Sequence, residues 1–142
     1  RTPLVAVGTT DMHSQTQQHQ EGALDKVVQF IKVAKWEDDL VIPNAFPEVK
    51  KLADISGVTM SEALEVARQS NADALSSNKR FNACFTLPEL NEYHLGEIMY
   101  LLAMSVAYEG ELANVDAFNQ PGVEAYKKIM GPKLQELKNS KK

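Results

Sequence analysis

Two hydrophobic periods alternate along this chain, and that alternation limits its fold more than anything else. Short apolar or β-branched runs, Leu4 to Val7, Lys26 to Val33 and Ala83 to Leu87, are separated by longer stretches whose apolar residues recur at helical spacing. Such runs suit strands, whereas the spaced pattern suits amphipathic helices. Leu4 to Val7, apolar throughout and closed by Gly8, suits a strand buried on both faces. Strands that alternate with helices predict an α/β fold, a three-layer α/β/α sandwich around a mainly parallel sheet. In such sheets ligands bind beyond the strand C-terminal ends, beside helix N-termini.

The helix limits are marked by capping chemistry. Thr9, Thr10 or Asp11 can start a helix over Met12 to Glu21, which Gly22 ends. Leu40 to Ile42 reads as a short third strand stopped by Pro43, and Pro47 starts a helix to about Ile55. Thr59 with Glu62 three residues on forms a capping box, followed by a stripe of Met60, Leu64, Ala67, Ala74 and Leu75. Asn91 to Glu109 reads as a helix with Leu95, Ile98, Met99, Leu102 and Val106 on one face, closed by Gly110. A last helix starts near Pro121, with a break expected at Gly131-Pro132.

Composition narrows the function. The 142 residues suit one domain, 1–142, and 44% hydrophobic residues suffice for a core. A formal net charge of −4 argues against a nucleic-acid binder, and the basic stretch Lys138 to Lys142 reads as a solvated tail. The single cysteine, Cys84, excludes an internal disulfide and a zinc site of several thiolates, and its apolar run suggests a small core residue. No apolar run approaches the ~20 residues that span a bilayer, and no signal-peptide pattern opens the chain. The chain therefore reads as soluble and cytoplasmic. It opens on Arg1 rather than Met and enters an apolar run at once, which suggests a piece of a longer protein.

Two segments carry candidate chemistry. In Gly8-Thr9-Thr10-Asp11-Met12-His13-Ser14-Gln15, a helix start places His13 in the first turn, where an imidazole can exchange protons near neutral pH. A capping turn with an incidental surface histidine is the plain alternative. In Phe118-Asn119-Gln120-Pro121-Gly122-Val123-Glu124-Ala125-Tyr126-Lys127, Gln120, Glu124 and Lys127 fall on one helical face. Here the alternative is an exposed face with an ordinary ion pair. His19 lies six residues from His13, which is not metal-pair spacing, and no phosphate-cradling Gly-rich loop occurs. His94 reads as surface or interfacial, and Trp36 as a loop anchor.

Both segments resemble motifs of the bacterial glucose-6-phosphate isomerases. The first, with Gln17 and Gln20-Glu21-Gly22, resembles their helix-start motif. The second resembles their C-terminal signature, F-[D/N]-Q-x-G-V-E-x-x-K, and Leu87-Pro88-Glu89-Leu90 before the long apolar helix also matches. The resemblance covers roughly residues 3 to 135. It implies a sugar-isomerase (SIS) domain of flavodoxin-like architecture, the second of two, in an enzyme that interconverts glucose 6-phosphate and fructose 6-phosphate with no metal or organic cofactor. It assigns ring opening to His13, an active-site amine to Lys127 and pocket lining to Gln120. It also implies a homodimer, and places the enolisation glutamate upstream of the His13 motif and the phosphate-binding Ser/Thr loop in an N-terminal SIS domain. One departure is at the segment Leu75 to Phe81, where the chain keeps only the following Asn82 of the pattern found in some relatives. The readings that compete with an isomerase are a sugar-phosphate-binding regulatory module without turnover and a structural or oligomerisation domain.

Overall fold

β-Branched residues concentrate where the sheet forms. In the computed structural model, which describes residues 2–141, the chain falls into two units, Arg1–Leu95 and Gly96–Lys142. The first holds α1 (Met12–Glu21), β1 (Val27–Lys35), α2 (Lys50–Ala53), α3 (Met60–Ser77) and β2 (Phe81–Glu89). β1 and β2 pair in parallel, in register from Val27↔Phe81 to Lys35↔Glu89. Parallel neighbours need a crossover, and α3 supplies its body. An α/β fold with a parallel sheet and helices is thus what the sequence specifies.

The capping box sets where α3 begins. Thr59 Oγ1 accepts from the Glu62 amide at 3.2 Å, and Glu62 Oε2 accepts from the Thr59 amide at 2.8 Å. Asp39 adds a second clamp, accepting from the backbone amide and hydroxyl of Ser61. The Ser61 hydroxyl, then that of Thr59, holds the Asp39 carboxyl down at about 2. α3 packs against β2, and α1 packs against α3. Leu75 is fully buried, with Ala72 and Leu87 also in the core. On the same side, Arg68 donates to Glu65 at 2.7 and 2.8 Å, and its guanidinium lies 5.8 Å from the centre of the Phe30 ring. Lys32 of β1 reaches Glu65 at 3.0 Å. These bonds, Arg68 first, depress the Glu65 carboxyl to about 2.

Several expectations need correction. Leu4 to Val7 is not a strand: Leu4 is 87% and Val5 91% exposed, and no ladder among the described residues receives them. A buried strand exists only where neighbours supply hydrogen bonds on its edges. Leu40 to Ile42 contributes one antiparallel bridge, Val41↔Thr59, and the helix expected after Pro47 is the single turn of α2. β2 does not stop before Pro88 but runs through it to Glu89, with Pro88 absent from the register. Cys84 is exposed rather than a core residue. Met60 and Leu64 are exposed as well, because α3 turns Ala72 and Leu75 inward instead.

α4 (Glu92–Leu112) begins in the first unit and ends in the second, which also holds α5 (Pro121–Ser140). Of its expected stripe only Ile98 is buried; Leu95, Met99, Leu102 and Val106 are exposed. Gly110 does not end α4. It lies beneath the return loop, where an added Cβ would come within 2.7 Å of the Ala117 Cβ. α5 passes unbroken through Gly131 and Pro132, contrary to the expected break. No helix of the described residues is long and apolar enough to cross a membrane.

Candidate active site

His13 stands where the sequence puts it, exposed in the first turn of α1. The turn ahead of it is built by Asp11. The Asp11 amide donates to Val7 O at 2.8 Å, and its Oδ2 accepts from the Val7 amide at 2.7 Å. The Ser14 hydroxyl donates to Asp11 O at 3.0 Å. Asp11 therefore occupies the cap position without making a side-chain cap bond, because its carboxylate is turned back onto residue 7. This leaves the imidazole at a helix start where the dipole and amide groups favour developing negative charge. His19 is half-buried and lies about 120° around the helix from His13, so the two do not converge.

The second motif forms the start of α5. Gln120 is its N-cap, and its carbonyl accepts from the amides of Val123 and Glu124, both at 3.1 Å. Pro121 sits in the first turn, where a missing N–H costs nothing. Glu124 and Lys127 share a face with Gln120, and the Lys127 ammonium donates to Glu124 Oε1 at 2.9 Å. All three side chains are exposed. Sequence reading missed one contributor here, Asp116. Its Oδ1 accepts from the Phe118 amide at 2.9 Å, and its Oδ2 from Asn119 Nδ2 at 2.8 Å. The cue was available, since an aspartate two residues ahead of the motif is positioned for an Asx turn.

His13 thus belongs to the first unit, and Gln120 and Lys127 to the second. Chemically, the first offers a group able to take and return a proton, the second an amide and a cation on one helical face. Among the described residues no group of three or more His, Cys, Asp or Glu side chains is arranged to hold a metal ion.

No protein-family model matches the chain. Curated proteins do. It is 38% identical over 128 residues to the glucose-6-phosphate isomerase of Carboxydothermus hydrogenoformans and 40% identical over 128 residues to that of Rubrobacter xylanophilus. Each match takes in 90% of this chain, and 28% and 30% of the relative. A glucose-6-phosphate isomerase of Bacillus thuringiensis is 36% identical over 141 residues, which takes in 96% of this chain and 31% of that protein. A match of that extent spans positions 13 and 127 of this chain. Among solved structures, the crystal structure of hypothetical protein TT0462 from Thermus thermophilus superposes with a TM-score of 0.81 at 31% identity. That superposition covers 91% of this chain and 31% of the other. The chain spans about three tenths of the length of these relatives. Over nine tenths of its own length, it is homologous to a segment of the glucose-6-phosphate isomerases.

Proposed function

We propose that this chain is the C-terminal SIS domain of a two-domain, dimeric, cytoplasmic glucose-6-phosphate isomerase, supplying the ring-opening histidine, His13, and an active-site lysine, Lys127. The observation that carries this reading is the 36% identity to an isomerase along 96% of the chain, an extent that holds both motifs. In ring opening the pyranose C1–O5 bond breaks, the C1 hydroxyl loses its proton and O5 gains one. A group that both accepts and returns a proton near pH 7 completes that exchange with no net change, and imidazole does so. His13 is exposed and can reach a sugar. Lys127 can steady charge developing at the ring oxygen, and Gln120 on the same face can hold a sugar hydroxyl. The Lys127–Glu124 pair is exposed, so redirecting the ammonium toward a substrate is cheap.

The resemblance assigns the carboxylate that moves the proton between C2 and C1 to a glutamate upstream of the His13 motif, and the groups that hold the phosphate to the N-terminal SIS domain. The 142-residue chain alone is therefore expected to show little or no turnover in a coupled assay. In the two-domain enzyme, His13→Gln should lower kcat on glucose 6-phosphate by about 10²–10⁴-fold, the usual range for losing a positioned acid–base group. Retention of kcat within about twofold would remove His13 from the mechanism.

A further inference from the structure

The segment Leu75 to Phe81, in which the chain departs from some of the proteins it resembles, leads from α3 into β2. Its backbone is tied to the centre of the first unit. The Arg80 amide donates to the carbonyl of Leu75, the fully buried core residue, at 2.8 Å. Lys79, just before it, takes a left-handed conformation with φ of 56° and turns the chain back. From that anchored position two side chains reach 58 residues back in sequence to the end of α1. Arg80 Nη1 donates to the Gly22 carbonyl at 2.8 Å, and Asn78 Nδ2 donates to Gln20 Oε1 at 2.7 Å. The Gln20 amide nitrogen is buried without a hydrogen-bond partner among the described residues, so this end of the helix is packed closely although that donor is unpaired. No side chain can stand at Gly22 without a shift, because a Cβ there would lie 2.4 Å from Gln18 O.

We infer that Arg80, assisted by Asn78, is a positioning residue for His13: it fixes the axis of α1 from the helix end opposite the imidazole. The inference rests on the isomerase reading of His13. The nine residues from Gly22 to His13 make a lever about 13 Å long at 1.5 Å per residue. A tilt of about 5° at the anchored end moves the first turn by about 1 Å, and displacements of that size can cost about 10²-fold in rate. The bonds at the helix start, between Asp11, Val7 and Ser14, are local and do not reach the core. The Arg80 bond is charge-assisted, which makes it the stronger of the two distal ties.

A double-mutant cycle in the two-domain enzyme tests this. Arg80→Ala should lower kcat about tenfold with KM within about twofold, and Arg80→Lys, which keeps a cationic donor, should restore most of the loss. Asn78→Ala, a milder variant should Arg80→Ala fail to fold, should lower kcat about threefold. In the His13→Gln background both substitutions should have no further effect beyond about twofold, because a positioning residue has nothing left to position. The inference is overturned if Arg80→Ala and Asn78→Ala leave kcat unchanged, or if their losses persist in full without His13. A His13→Gln enzyme of normal turnover defeats the isomerase reading itself and this inference with it.

Discussion

The helix that carries His13 and the helix that carries Lys127 are held by opposite means. α1 is tied across the fold, by Arg80 and Asn78 at one end and by packing on α3. α5 relies on its own neighbourhood. Asp116 shapes the approach, Gln120 caps the start, and the Lys127–Glu124 pair spans three residues. Long-range ties hold a side chain at a fixed place relative to a core, whereas local ties only preserve the shape of the segment. The first unit accordingly has an interior that substitution can break, whereas the bonds named for α5 preserve that helix's own shape.

The sharpest way to break the contrast is at Leu75. Its side chain is fully buried, so Leu75→Ala should cost about 2–5 kcal/mol in denaturant unfolding, through lost burial and a residual cavity. Leu134→Ala, at an exposed position of α5, should cost within about 0.5 kcal/mol. Equal costs would erase the distinction. Next in size is the α3 cap: Thr59→Ala should lose about 1 kcal/mol by the same measurement, since it orphans the Glu62 amide.

Acid sharpens the comparison further. The Glu65 carboxyl is held at about 2 in the folded chain, below its ordinary 4.5, by Arg68 and then Lys32. A depressed carboxyl stabilises the fold above its unfolded value, and that contribution fades as pH falls from about 4.5 through about 2. Glu65 is 43% exposed, so solvent screening limits the effect to about 1 kcal/mol or less. Glu65→Gln should therefore flatten the stability–pH curve over that interval, with no change in slope above it. The smallest effect belongs to α5. Glu124→Gln should cost about 0.2–0.5 kcal/mol of helix stability, and less in high salt, measured by circular dichroism.

What was legible in the sequence was local. The Thr59–Glu62 box, the Gly22 stop and the placing of His13 in a first turn each depend on residues within four positions of one another. What was not legible depended on distant partners. Leu4 to Val7 has a strand's composition, but strandhood requires neighbouring hydrogen bonds that composition does not contain. Cys84 sits in an apolar run yet is exposed, since period-two alternation alone does not say which face is covered. Pro88 and Pro132 were read as terminators, and both lie inside their elements. A proline removes one donor, and surrounding bonds can carry the element across that gap. The Arg80–Gly22 tie spans 58 residues and leaves no local signature at all.

The turn at Asp11 couples two things that are usually independent. By bonding the Val7 amide on one side and opening α1 on the other, it links the course of residues 4–7 to the start of the helix. Any β-ladder that zipped those four exposed residues into its edge would set the course of the first turn of α1 in the same act, so that sheet assembly and helix placement would be one event.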